Sequence, residues 1–139
     1  MPKIKHIAMT TSDPGKAAAF YKEVFDMQEL RRDDSGQVFL TDGYLNLAIL
    51  KFKTNDDADV GAHGPNFGGI HHLGFYVDDV DTLADKLEQA GGKRLSQTVA
   101  PGTGGLFGMG SGPSNAEVKF SGPDGVIIDM SVSGWQTSP

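Results

Sequence analysis

The chain has 139 residues and a mass of 14.8 kDa, enough for one domain that buries its own core. It has no cysteine, which excludes disulfide scaffolds, thiolate-bound zinc, iron–sulfur clusters and thiol nucleophiles. Eighteen acidic against 12 basic side chains, a formal charge of −6, argue against nucleic acid as a partner. No apolar run approaches the roughly 18 residues of a membrane span, and the start, MPKIKHIAMTTSDP, has no long apolar segment. A cytoplasmic location is the expectation.

In chain order, residues 3–10 (KIKHIAMT) alternate as a strand does. Asp13 stands where a helix N-cap accepts free backbone N–H groups, and Pro14 follows at the first helical position. Ala17, Phe20, Tyr21, Val24 and Phe25 then fall at i, i+3, i+4, i+7 and i+8, one apolar stripe. Strands are expected near 27–32, 37–40 and 44–50, separated by the turns Asp34-Ser35-Gly36 and Thr41-Asp42-Gly43. A polar, Gly-rich linker, 53–68, carries His63 as a solvated loop residue.

Residues 69–77 (GIHHLGFYV) repeat the character of the first strand. Setting His6 on His72, an offset of 72 − 6 = 66, also brings Ile4 onto Ile70, Ile7 onto Leu73 and Asp13 onto Asp79. Asp79 opens a second helix with the stripe Val80, Leu83, Ala84, Leu87 and Ala90, which Gly91-Gly92 ends. Further strands are expected at 93–95, 117–120 and 126–132. The last turn, Pro123-Asp124-Gly125, matches Asp42-Gly43 at 125 − 43 = 82, so this half holds a 16-residue insertion, 100–115. Much of the glycine lies there; 19 in all is about twice the usual share. Without G-K-[ST] it is not a phosphate loop. It reads as a lid over 102–112, with Leu106, Phe107 and Met109 available to close over a ligand. The fold class is α+β: two tandem βαβββ modules, 1–52 and 69–133, with the linker 53–68 between them and a tail, 134–139.

Strand alternation sorts the polar residues. Ile4, His6 and Ala8 share one face; Ile70, His72, Gly74 and Tyr76 share its counterpart, and His71 points the other way. In VIIDMSV, Ile127, Asp129 and Ser131 share a face, and a carboxylate in so apolar a strand needs a partner, a proton or a metal. Two histidines at repeat-equivalent places plus that acid suit a borderline divalent ion and leave about three of six positions open. Glu117, on the neighbouring strand, is a candidate general base or replacement ligand. Tyr76 is a candidate donor to a metal-bound oxygen.

The duplicated unit, with KIKHIAMTTSDPGKAAAFYKEVFDM, GGIHHLGFYVDDVD and SGPDGVIIDMSV, resembles the vicinal oxygen chelate superfamily over roughly residues 3–132. That group holds glyoxalase I, extradiol dioxygenases, methylmalonyl-CoA epimerase, and fosfomycin- and bleomycin-resistance proteins. The resemblance implies mixed sheets curled into a metal-centred cup, with His6, His72 and Asp129 as ligands. It implies a divalent ion (Fe, Mn, Zn or Ni) chelating two adjacent oxygens of a small-molecule substrate in a lyase/isomerase, dioxygenase or transferase reaction. The superfamily's isomerases carry a fourth ligand on the last strand of the first module. Here the 82-residue offset sets Leu47 opposite Asp129, and Asn46 has the other strand phase, so three ligands are expected. The alternative is a metal-free, bleomycin-resistance-like binding protein, whose acidic composition suits a cationic ligand. A homodimer is expected, because relatives cover sheet edges by pairing modules between chains.

Overall fold

The computed structural model of the chain describes residues 1–97 and 118–139. The expected lid, 102–112, and Glu117 lie outside the described residues. The elements run β1 (Lys3–Thr11), α1 (Pro14–Phe25), β2 (Gln28–Arg32), β3 (Val38–Thr41), β4 (Asn46–Lys51), β5 (Gly69–Tyr76), α2 (Val80–Gln89), β6 (Lys93–Gln97), β7 (Val118–Ser121) and β8 (Ile127–Ser131). The described strands form one open eight-stranded mixed sheet, ordered β2-β3-β4-β1-β5-β8-β7-β6. The α+β class follows.

The centre of the sheet is the antiparallel pair β1·β5, flanked by β4 and β8, each parallel to its neighbour. Ile7 pairs with Leu73, His6 with Gly74 and Ala8 with His72, so the register is symmetric about Ile7 and keeps the offset of 66. His6 and His72 are therefore diagonal neighbours on one face. The outer strands correct the second offset. His6 pairs with Asn46 and His72 with Ile127, so the last strands are related by 127 − 46 = 81, and Asp129 corresponds to Ala48, not Leu47. The turn glycines misled because the turns differ in length: Thr41 pairs with Asn46 across four residues, Ser121 with Ile127 across five.

Each helix covers one half of the sheet on the face away from these histidines. Leu47 and Ile49 of β4 meet Ala17, Ala18 and Tyr21 of α1. Ile128 and Met130 of β8 meet Val80, Leu83, Ala84 and Leu87 of α2. The α1 stripe splits: Ala17 and Tyr21 pack on the core beside Ala18, a fully buried residue outside the stripe, whereas Phe20, Val24 and Phe25 are 54%, 54% and 63% exposed. The small Ala17 and Ala18 let the helix lie close to the sheet, and this rotates the larger residues outward. Both expected N-caps are present, Asp13 accepting from the Lys16 N–H and Asp79 from the Thr82 N–H, each at 3.1 Å. At the end of α2, Gly91 adopts φ +98°. Its N–H bonds Glu88 and that of Gly92 bonds Leu87, which satisfies the last carbonyls.

Candidate metal centre

On the other face of the sheet, the strands bring His6, His72 and Asp129 together. All three are buried, Asp129 completely. His6 Nε2 lies 3.2 Å from His72 Nε2, and His72 Nε2 lies 3.3 Å from Asp129 Oδ2. His6 Nδ1 is 2.9 Å from Asn46 Oδ1, while Asn46 Nδ2 donates to the Gln136 carbonyl at 2.8 Å. That second bond orients the amide, so Asn46 presents an oxygen and His6 Nδ1 must carry the proton. The lone pair of His6 Nε2 is then directed at His72.

Burial pushes the His6 imidazole down to about 4. It pushes His72 well below the ordinary value, and the neighbouring Lys119 ammonium adds to the effect. Both rings are neutral near pH 7, the form that binds metals.

His71 does not face away. The ladder slips between Ala8–His72 and Met9–Ile70, leaving His71 as the extra residue of a β-bulge. Strand alternation fails there. His71 is buried, and its Nδ1 lies 2.8 Å from His72 Nδ1. His71 also sits below its ordinary pKa, through burial that nearby Asp59 only partly offsets.

Among the described residues, two donor groups could hold a metal: His6, His72 and Asp129, or Asp59, His71 and His72. His72 belongs to both. Asp59, within the expected linker, is buried, and its carboxylate contacts Lys53 Nζ at 3.2 Å and Lys119 Nζ at 3.3 Å. Burial alone would raise this carboxyl; the two ammoniums hold it below the ordinary value. Lys119, paired across the ladder with Asp129, donates to Asp129 Oδ2 at 2.7 Å. Asp129 Oδ1 makes no hydrogen bond among the described residues. Over this cluster lies the tail, where the Trp135 ring stacks on His6 at 4.8 Å between centroids.

Tyr76 stands at the exposed end of β5, its ring against Gly134. It lies four residues, about 13 Å, along the strand from His72. His63 is exposed, as expected, and stacks on Phe67.

Sequence reading missed Asn46, Asp59, His71, Lys119 and Trp135. Lys119 was open to it, since Val118 and Phe120 on the apolar face put Lys119 on the site face. Trp135 had a cue in Gly74, because glycine within a strand marks close approach by another group.

A mixed sheet with helices on one face and clustered imidazoles on the other is the architecture of a recognisable class. The chain matches the family model "Glyoxalase/Bleomycin resistance protein/Dioxygenase superfamily" over residues 3–130 and belongs to that superfamily. Among curated relatives it is 28% identical over 109 residues to human mitochondrial methylmalonyl-CoA epimerase. That match covers 74% of this chain and 62% of the epimerase. Solved structures share the fold, two of them as follows. Streptomyces coelicolor methylmalonyl-CoA epimerase, in complex with 2-nitronate-propionyl-CoA, is 21% identical with a TM-score of 0.62, covering 99% of this chain and 98% of that one. The 2,3-dioxygenase LapB from Pseudomonas sp. KL28 is 20% identical with a TM-score of 0.64, covering 98% of this chain and 42% of that one.

Proposed function

We propose that this protein is a metal-dependent enzyme acting on a small molecule with two adjacent oxygens, with His6, His72 and Asp129 as metal ligands. The supporting observation is the convergence of His6 Nε2, His72 Nε2 and Asp129 Oδ2, with separations of 3.2 and 3.3 Å between neighbours. Ligands bonded at about 2.0–2.2 Å stand roughly 3.0–3.4 Å apart around one ion, so the donors fit a first-row divalent metal. The unbonded Asp129 Oδ1 leaves that carboxylate capacity for a ligand.

A divalent ion held there would act as a Lewis acid toward the substrate oxygens. The protein's own groups do the rest. Asn46 fixes the His6 tautomer, and His71 orients the His72 ring through its Nδ1. Tyr76 is proposed as a hydrogen-bond donor to a substrate oxygen, and Glu117 as a general base or replacement ligand. The protein is proposed to be a homodimer, supported by the exposed Phe20, Val24 and Phe25 on α1.

The epimerase relative favours a lyase/isomerase-type reaction at a carbon beside the chelating oxygens. A dioxygenase is the second reading, supported by the two-histidine, one-carboxylate donor set. Metal analysis of untagged protein tests the common core: stoichiometric metal in wild type and none in His72→Ala is expected, and equal content in both refutes it. Deuterium uptake from D2O into methylmalonyl-CoA, against oxygen consumption with a catechol, separates the two reactions. Sedimentation near 14.8 kDa at micromolar concentration would refute the dimer.

A further inference from the structure

We propose that Lys119 is the resident cation of this site, and that a divalent ion enters by displacing its ammonium from Asp129. The inference rests on the metal reading above.

One carboxylate oxygen serves two partners. Asp129 Oδ2 faces His72 Nε2 at 3.3 Å, and the same oxygen accepts from Lys119 Nζ at 2.7 Å. An ion bonded to that oxygen at about 2.1 Å lies no farther than about 4.8 Å from the ammonium. In a buried site that separation is strongly repulsive. Lys119 and Asp129 are 6% and 0% exposed, so water screens neither.

The charge count agrees. Asp59 and Asp129 carry two negative charges, and Lys53 and Lys119 carry two positive ones, within a connected set of contacts of 2.7 to 3.3 Å. Among the described residues the cluster is therefore balanced before any ion arrives, and a divalent ion on Asp129 Oδ2 sets two positive charges beside the ammonium unless Lys119 moves off that oxygen.

The backbone makes the contact unavoidable, because Lys119 and Asp129 are direct cross-strand partners on β7 and β8. The short Asp129 side chain keeps its carboxylate near its own strand, within reach of that lysine. A destination exists as well: Asp59 Oδ2 already lies 3.3 Å from Lys119 Nζ and can hold the displaced ammonium.

The test is a calorimetric Zn2+ titration of the full chain as wild type, Lys119→Gln, Lys119→Arg and His72→Ala. Glutamine keeps a hydrogen-bond donor for Asp129 and removes the charge; arginine keeps the charge. Lys119→Gln should bind Zn2+ at least tenfold tighter than wild type, and Lys119→Arg no tighter. If wild type and Lys119→Gln bind equally and His72→Ala does not bind, the metal reading stands and the displacement falls. If only Lys119→Gln binds, the ammonium is not displaced in the wild type, and both the displacement and the wild-type metal reading fall. If neither binds, both fall. Should Lys119→Gln fail to fold, nitrogen NMR of the wild-type Lys119 ammonium decides. Its resonance must shift on saturation with Zn2+, and an unchanged resonance overturns the proposal.

Discussion

Replacing Gly74 by alanine tests how the tail is held over the site. Gly74 pairs with His6 across β1·β5. A Cβ at position 74 would lie 2.7 Å from His6 Cβ and 2.7 Å from Trp135 Cη2. Neither contact is tolerable. His6 Cβ sits on the paired strand and cannot yield, whereas Trp135 is in the tail and can. The ring must therefore leave His6. Loss of an aromatic stack costs about 0.5–1.5 kcal/mol, and overpacking about 1–3 kcal/mol. Relief of glycine's entropy in a strand returns roughly 0.5–1 kcal/mol, so a net loss of about 2 kcal/mol is expected from the middle of each range. With a urea slope of about 2 kcal/mol/M, the midpoint should fall by about 1 M. Trp135 is the single tryptophan of the chain, so intrinsic fluorescence reads its position directly. Gly74→Ala should red-shift the native emission and increase acrylamide quenching. Unchanged emission together with an unchanged midpoint would refute the argument that Gly74 exists to admit the indole.

Three further outcomes are expected. Asp129→Asn breaks a buried ion pair with Lys119 and should lose roughly 3 kcal/mol or more in urea unfolding; a loss below 1 kcal/mol would mean the pair is not buried in solution. His6 titrates at about 4 when folded against about 6.5 when unfolded. The unfolded chain thus binds more protons between these values, and stability should fall by about 3 kcal/mol from this group as pH drops through that window; His6→Gln should flatten the slope, and an equal slope in both proteins would contradict it. Asp13→Ala removes the bond to the Lys16 N–H and should cost about 1 kcal/mol, measured by thermal unfolding, with no change in Trp135 emission.

Much of the fold was legible because its signals are local. Asp13 and Asp79 cap helices through bonds spanning three residues, and strand alternation survives wherever the ladder is regular. The offset of 66 held because it was read from the central strands, whose register is fixed by pairing with each other. The offset of 82 failed because it was read from turns, which tolerate an added residue without disturbing the strands they join. The α1 stripe misled for a similar reason: periodicity gives a helix its apolar face, but the small Ala17 and Ala18 decided how that face was turned to the sheet.

The candidate site was legible only in its first layer. His6, His72 and Asp129 stand out as polar residues at interior phases of apolar strands. Their partners arrive by routes that a period of two cannot express. His71 enters through a bulge, which moves one side chain out of alternation without changing its neighbours in sequence. Asp59 and Trp135 come from segments outside the sheet, and their polar or isolated context is that of a solvated loop. Asn46 was assigned the wrong phase through the one-residue error in offset. Lys119 differs from all of these. Its phase was readable from Val118 and Phe120, but a lysine between apolar residues on a strand ordinarily marks the solvent side. The physical inversion is that the face of β7 opposite its apolar residues is here buried as well, where Asp129 makes burial of the ammonium tolerable. The same pairing that lets the lysine be buried places a fixed positive charge against the carboxylate assigned to the metal.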